Sequence, residues 1–332
     1  MKLSIIRNTE NYELNFDVIT QLCGQNITIK NYIVDSICKH FSSDKYKDYE
    51  EEFIENISID GEVPGRKQWE CYRIRSKEDM ISAIQMNKSS ILGKCIKESV
   101  SGFECQNDLM EIDNILLRVF ARLNQTLFTQ LPIELQYSQE DLFSIIQQTS
   151  VRTNEGADLH ALAVEDVLNA FIEIIKMQQS IIPEKRLFVF ENIDHYMNND
   201  CYIGFVKKCE EMARASNIWF IFTTSLDGYV YISVDSIESI NIINDEIYSL
   251  PSEEHLNDFI NNYYPINKPW NFDDIKRILN VTIQDIGKQS SLRQADELVF
   301  LKLINETLDI GSEWEKRPSA PEIQCLLAAD VV

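Results

Sequence analysis

Two parts of the chain alternate short hydrophobic runs, typical of strands, with amphipathic stretches, typical of helices. Residues 186–190 (RLFVF) and 218–222 (IWFIF) are uninterrupted apolar runs, which indicate strands buried on both faces of a parallel sheet. The segment between them predicts a helix over residues 202–215. A strand, a helix and a second strand in this order predict a right-handed parallel unit, so we expect an α/β fold.

Shorter alternating segments predict further strands. They cover residues 12–17, 26–30, 71–75 and 229–233. Residues 32–41 instead place apolar side chains at helical spacing, and Ser76 is a suitable N-cap for a helix over residues 77–85. These elements predict an α/β head made of residues 1–86 and 183–245.

The middle of the chain, residues 87–182, has the pattern of helices. Six apolar residues recur three or four positions apart and predict one helix from Asp108 to about Gln130, on the order of 35 Å long. This stripe consists of Leu109, Ile112, Leu116, Val119, Leu123 and Leu127. Further helices are predicted after Ser138 and over residues 159–180. Together they predict a helical leg inserted into the head.

Beyond residue 245 the pattern is helical and acidic. Helices are predicted to begin near Pro251 and Asn271, and a third is predicted over residues 293–308. We therefore expect a mostly helical C-terminal extension over residues 246–310. Residues 311–332 show no clear period and are expected to be a disordered or non-native tail.

The charge of the chain is strongly acidic overall, but it is segregated. The formal net charge is −22, which by itself argues against binding of nucleic acid. Residues 66–97, however, hold eight basic residues against three acidic ones, whereas residues 44–62 hold eight acidic residues against two lysines. A basic face on an acidic protein favours a nucleic-acid surface, and random clustering on a solvated surface is an equally simple interpretation.

Cysteine usage and the N-terminus favour a cytoplasmic protein. The eight cysteines form no C-x-x-C pair, which argues against a zinc site. The first ten residues do not resemble a signal peptide, and no apolar run approaches the ~20 residues needed to span a bilayer. We therefore expect free cysteines in a reducing cytoplasm and no membrane partner.

The order of the elements is similar to that of a P-loop NTPase sheet. A strand over residues 26–30 would feed a helix, and a later strand ends in Glu191, where such enzymes hold a metal. The phosphate-binding motif G-x-x-x-x-G-K-[ST] is missing, because the expected turn at residues 30–32 contains no glycine. The Gly-Lys pair at residues 93–94 is followed by a cysteine. These features predict a degenerate P-loop NTPase-like head that binds no nucleotide.

No other motif predicts an enzyme, so we expect a protein without catalytic residues. His195 has no nucleophile elbow near it and is more simply a structural residue. Two alternatives stay open. One is a divergent P-loop-type ATPase that uses Glu191 or Asp194 for magnesium, and the other is a protein scaffold that does not bind DNA.

An acidic loop after the predicted long helix is a candidate calcium site. It contains Glu134, Glu140 and Asp141, and calcium takes six to eight oxygen ligands in proteins. The simpler interpretation is that Glu140 and Asp141 favour the N-terminus of the next helix through its macrodipole. Spacing alone leaves both interpretations open.

Four short segments carry a family resemblance: residues 87–92 (NKSSIL), 133–137 (IELQY) with EDL at 140–142, 185–192 (KRLFVFEN) and 218–222 (IWFIF). By these segments, and by the order of elements from residue 12 to residue 233, the chain resembles the Csn-type adaptation protein of type II-A CRISPR systems. Residues beyond 245 would be the extension of the family's long form.

The resemblance implies a function and a set of partners. Such proteins are expected to have a degenerate P-loop head and a helical leg, and to form tetrameric rings that take double-stranded DNA ends into a lysine-lined hole. Calcium would stabilise the ring, which would serve spacer acquisition beside the CRISPR integrase complex and the type II effector nuclease. The calcium ligands implied are again Glu134, Glu140 and Asp141. The DNA-binding residues implied are Arg66, Lys67, Arg73, Arg75, Lys88, Lys94 and Lys97.

Overall fold

The computed structural model describes residues 1–42, 45–128, 133–138, 142–226, 228–265, 269–288 and 295–310. The chain forms two compact units. Of the described residues, positions 1–71 and 219–310 belong to the first unit and positions 72–218 to the second. Among the helices described, none is long and apolar enough to cross a membrane.

The strands of the described residues are β1 (Lys2–Arg7), β2 (Glu10–Asn15), β3 (Ile19–Cys23), β4 (Ile57–Ile59), β5 (Glu70–Ile74), β6 (Arg186–Glu191), β7 (Ile218–Thr223), β8 (Ile240–Ile243) and β9 (Ile247–Ser249). A three-stranded sheet has the order β2-β1-β4 and is antiparallel. The larger sheet has six strands in the order β5-β6-β7-β3-β8-β9. In it, β3 runs parallel to β7 and to β8, whereas β9 is antiparallel to β8. The expected α/β fold is thus confirmed.

The α-helices of the described residues are α1 (Ile27–His40), α2 (Lys77–Ile84), α3 (Ile91–Val100), α4 (Phe103–Leu127), α5 (Leu142–Ile146), α6 (Val164–Ile181), α7 (Asn199–Arg214), α8 (Glu253–Tyr263), α9 (Phe272–Thr282) and α10 (Ala295–Thr307). Two predicted helix starts are confirmed by their caps. Ser76 accepts a hydrogen bond from the Asp79 N–H, and Asn271 accepts one from the Asp274 N–H. Each cap satisfies a backbone donor that the first helical turn leaves free.

The predicted strand over residues 26–30 is wrong, because this segment caps and begins α1. The strand that precedes the helix is β3. The side-chain oxygen of Asn26 accepts a hydrogen bond from the Ile29 N–H at 3.1 Å. The β-branched residues at 27–29 are typical of a strand, but the cap and the buried face of α1, which includes Ile33 and Ile37, stabilise the helix instead.

The predicted strand over residues 229–233 is also wrong, because this segment has no regular secondary structure. Its backbone is paired with the side chain of Gln21 where a strand would be paired with the backbone of a neighbouring strand. The amide of Gln21 accepts a hydrogen bond from the Tyr231 N–H at 2.8 Å and donates one to the Tyr231 oxygen at 2.6 Å. Val230 and Ile232 are buried, so the apolar pattern of the segment reflects burial rather than strand pairing.

The long helix is confirmed as α4, but it begins before Asp108, with Gly102 as its N-cap. The second half of its apolar stripe lies in solvent. Val119, Leu123 and Leu127 are 43%, 37% and 60% exposed. A helix with such an exposed stripe lacks the core contacts that normally stabilise an amphipathic helix within one chain.

Helices α8, α9 and α10 share one hydrophobic core with the end of the large sheet in the first unit. The core joins Cys23 of β3 to apolar residues of β8 and of all three helices. Its members include Ile240, Ile242, Leu256, Ile260, Ile275, Leu279, Phe300, Leu301 and Ile304. The C-terminal helices are therefore part of the packing of this unit.

Candidate nucleic-acid interface

Four of the seven basic residues singled out from the sequence are exposed. They are Lys67, Arg75, Lys88 and Lys97. Lys67 lies in the first unit together with Arg66, and the other five basic residues lie in the second unit. Arg75 has a carboxylate neighbour, since its Nε lies 3.7 Å from the carboxylate of Asp79 in the first turn of α2. Exposed ammonium and guanidinium groups of this kind are suited to contact backbone phosphates.

Arg73, by contrast, forms an ion pair within the second unit. Its guanidinium donates to both carboxylate oxygens of Glu191, with Nη2 3.0 Å from Oε2. The two side chains are 31% and 11% exposed, so the pair is partly shielded from water. The Arg73 guanidinium therefore binds the carboxylate of Glu191, which is one of the two magnesium ligands considered from the sequence. Asp194, the second such candidate, is 5% exposed in a short 3-10 helix over Ile193–Tyr196.

Lys94 and Arg66 also have partners inside their units. The Nζ atom of Lys94 lies 3.2 Å from the Tyr72 hydroxyl and 5.2 Å from the centre of its ring. Arg66 donates to the backbone oxygens of His40 and Ser42 at the C-terminal end of α1 and covers the ring of Tyr46. It thereby satisfies carbonyl groups that the end of a helix leaves free.

The histidine at the end of α1 is buried beside this arginine. The Nε2 atom of His40 lies 2.7 Å from the backbone oxygen of Pro64. Because a carbonyl only accepts, Nε2 carries the proton. Burial lowers the pKa of His40. The hydrogen bond that its ring donates to Pro64 opposes this shift, and the nearby positive charge of Arg66 adds to it. The buried, hydrogen-bonded ring therefore belongs to the structure of this helix end.

Residues 87–92 form the capped start of α3. The Asn87 side chain accepts hydrogen bonds from the backbone N–H groups of Ser89 and Ser90 at 3.1 and 2.7 Å. The Ser90 hydroxyl then accepts one from the Gly93 N–H at 2.9 Å. These two caps fix the start of the helix that carries Lys94 and Lys97, which are neighbours on its surface because they are three residues apart.

The candidate calcium ligands lie only partly within the described residues. Glu134 is exposed and accepts a hydrogen bond from the Gln136 side chain at 3.2 Å. Glu140 and Asp141 lie outside the residues that the structure describes. In the described part of the chain, no group of three or more His, Cys, Asp or Glu side chains is arranged to hold a metal ion.

The turn between β3 and α1 consists of residues 24–26, so the expectation of a glycine-free turn at residues 30–32 is wrong. Gly24 has a φ of 90°. A Cβ atom at this position would lie 2.3 Å from the backbone oxygen of Ile243. The glycine thus permits close approach of two backbones. The sequence contained the signal, a glycine two positions before the capping residue Asn26, but the wrong strand prediction at residues 26–30 concealed it.

Comparisons with known proteins agree with this fold. A family model described as CRISPR-associated protein Csn2 subfamily St matches residues 7–313. No curated protein matches the chain. A crystal structure of Stu0660 of Streptococcus thermophilus has a TM-score of 0.87 at 20% identity, over 98% of this chain and 99% of that one. At this identity the likeness shows the fold alone. A structure of the SmcHead bound to the C-winged helix domain of ScpA has a TM-score of 0.39 at 13% identity, covering 76% of this chain and 98% of that one, and carries no argument.

Proposed function

Since the chain belongs to the St subfamily of the CRISPR-associated protein Csn2, which supports a role in CRISPR adaptation, we propose that it binds the ends of double-stranded DNA as an oligomeric ring. Binding would use backbone phosphates and would not depend on base sequence. The protein would act in the cytoplasm during spacer acquisition, beside the CRISPR integrase complex and the type II effector nuclease. It would perform no catalysis itself.

The exposed basic residues of the second unit carry this proposal. Arg75, Lys88 and Lys97 lie in solvent within a chain whose net charge is −22. An acidic protein repels DNA unless its positive charges are gathered on one surface. A ring resolves this conflict, because it can turn basic residues toward a central hole while its outer surface stays acidic.

The exposed stripe of α4 supports assembly into an oligomer. Monomeric proteins rarely expose a continuous row of large apolar side chains, and such rows commonly mark contacts between proteins. On α4 the row includes Val119, Leu123 and Leu127. We propose that copies of this chain cover the stripe in a tetramer. Calcium bound by Glu134, Glu140 and Asp141 would stabilise that assembly.

The Arg73–Glu191 pair favours a head that does not use nucleotide. In an ATPase, an acidic residue at the end of a buried strand would face the metal, and an arginine held on both of its oxygens competes with that metal. A degenerate P-loop NTPase-like head is therefore our proposal for this sheet. A divergent ATPase would instead gain thermal stability from magnesium and ATP.

The experiment that tests the DNA proposal compares a short linear duplex with a covalently closed circle of the same length and sequence, with and without calcium. We expect binding to the linear form alone, because a closed circle has no end to thread through a ring. Equal binding to both forms would contradict end binding and indicate a surface groove. Binding to neither form would favour a protein scaffold that does not bind DNA.

We expect the double variant Val119→Glu, Leu123→Glu to form smaller assemblies than the unmodified protein. Both substitutions place a charge on the exposed stripe, and glutamate retains helix propensity, so α4 should persist. Light scattering coupled to size-exclusion chromatography measures the mass. The matched control is Asn114→Glu, Gln125→Glu, which adds the same charge to exposed positions on the opposite side of the helix. Equal masses for the two variants would show that the stripe is not the interface.

A further inference from the structure

The turn between β3 and α1 lies where many α/β proteins bind an anion. It follows a strand that has parallel neighbours on both sides and precedes the N-terminus of a 14-residue helix. Backbone N–H groups in such turns point outward and carry the positive end of the helix dipole. The partners of these N–H groups therefore decide whether the turn is open to a phosphate.

In this chain, those N–H groups donate hydrogen bonds to oxygen atoms of the protein itself. The Gly24 N–H donates to the side-chain oxygen of Gln284 at 2.8 Å, and the Gln25 N–H donates to that of Asn244 at 2.8 Å. The Asn26 N–H donates to the backbone oxygen of Ile243 at 3.0 Å. Three consecutive donors are thus satisfied by residues from the C-terminal part of the chain.

The two side-chain amides are held in place by burial and by further hydrogen bonds. Asn244 is 2% exposed, and its Nδ2 donates to the backbone oxygen of Ile286. Gln284 is 7% exposed, and its Nε2 lies 3.4 Å from the hydroxyl of Thr224. Buried amides with several partners have defined positions, since any shift would leave a buried polar atom unsatisfied.

The lysine on the first turn of α1 is also engaged internally. Lys30 is 4% exposed, and its Nζ donates to the backbone oxygen of Thr224 at 2.8 Å. A phosphate in the turn would be expected to attract a nearby ammonium group. Here that group instead binds Thr224, the residue directly after β7, which Gln284 also contacts.

The amides connect the turn to the C-terminal helices. Gln284 lies in a short 3-10 helix, Ile283–Asp285, directly after α9. Further along the same segment, the Gly287 N–H donates to the side-chain oxygen of Asn305 on α10 at 3.1 Å. Asn305 is 1% exposed. A chain of buried amides therefore runs from the β3–α1 turn to α10.

We propose that the segment Gln284–Gly287 is a built-in occupant of the β3–α1 turn, with Asn244 as its partner. Their amide oxygens replace an anion, exclude phosphate from the turn and fasten helices α9 and α10 to the large sheet. The same hydrogen bonds then close the turn to anions and attach the C-terminal helices to the sheet. This inference does not depend on DNA binding.

Hydrogen exchange followed by mass spectrometry tests the proposal on the full chain. In the unmodified protein, peptides covering residues 19–30 should be strongly protected at Gly24 and Gln25. Gln284→Leu keeps a similar volume but removes the acceptor oxygen, so exchange in this peptide and in the α10 peptide should accelerate at least tenfold. Gln284→Glu keeps an acceptor, and the Thr224 hydroxyl can rotate to donate to it, so protection should be largely retained at neutral pH.

The control is Gln178→Leu, the same substitution at a fully buried glutamine of α6 in the second unit. It should leave exchange at Gly24 unchanged. Equal acceleration in the Leu and Glu variants at position 284 would overturn the proposal, because the acceptor oxygen would then be irrelevant. Rapid exchange of Gly24 in the unmodified protein, or a rise of its melting temperature in pyrophosphate, would overturn it without any variant.

Discussion

A Gly24→Ala variant is expected to lose about 3 kcal/mol or more of its free energy of unfolding. Two effects combine at this position. The φ of 90° is strained for any residue with a Cβ atom. The added atom would also lie 2.3 Å from the oxygen and 2.6 Å from the nitrogen of Ile243, and neither backbone atom can move away as a flexible side chain would. Relief would require β3 and β8 to separate at this end of the sheet.

Urea denaturation followed by circular dichroism measures this loss as a lower midpoint. Gly61→Ala is the matched control, since Gly61 has a φ of 86° but no atom within 4 Å of the added Cβ. It should report the cost of backbone strain alone, about 1–3 kcal/mol. If the two variants lose equal stability, the close approach of Gly24 to Ile243 does not contribute to the loss.

The triple variant Arg75→Glu, Lys88→Glu, Lys97→Glu is expected to bind linear double-stranded DNA at least about a hundredfold more weakly, because each charged contact to a phosphate contributes roughly 1.5–3 kcal/mol. The plot of log affinity against log salt concentration should also become less steep, by about 0.9 for each phosphate that the protein no longer neutralises. Fluorescence anisotropy over a salt series measures both quantities. Arg73 is left unchanged, because reversing its charge would break the pair with Glu191 and confound binding with stability.

The control for this variant is Lys185→Glu, Lys207→Glu, Lys302→Glu, which makes the same change of net charge at other exposed lysines. It should reduce affinity only slightly, through the overall field of the protein. Should the control lose as much affinity as the first variant, net charge rather than a defined surface would govern binding. Should the first variant bind normally, the DNA surface lies elsewhere on the molecule.

The candidate interface could be predicted from the sequence only as a charge pattern. Segment 66–97 has an excess of basic residues, and Lys67, Arg75, Lys88 and Lys97 are indeed exposed. The pattern could not separate them from Arg73 and Lys94, whose partners Glu191 and Tyr72 are 118 and 22 positions away. The sequence shows where the charged residues are. Whether a charge is available to contact DNA depends on the distant residues that the fold places next to it.

Elements whose signals are local could be predicted from the sequence. Apolar runs predicted β6 and β7, and the capping residues Ser76 and Asn271 predicted two helix starts. Each of these signals lies within a few residues of its element, and each of these elements is present. Tertiary contacts decided the β-branched segments at residues 26–30 and 229–233. The first is a helix because Ile33 and Ile37 of α1 pack in the core, and because its capping residue Asn26 is held by a hydrogen bond from its side chain to the backbone oxygen of Asn244, 218 positions away. The second pairs with the side chain of Gln21, which is 210 positions away.

The residues that occupy the turn after β3 could not be predicted, because they are distant from it in the sequence. Gln284 lies 260 positions from Gly24, and Asn244 lies 219 positions from Gln25. A glutamine or an asparagine has no distinctive pattern in a sequence, because its amide serves equally well in solvent, in a cap or in a buried network. Its role is fixed by which unsatisfied backbone donors the fold brings within about 3 Å of it, and that is a property of the packed chain.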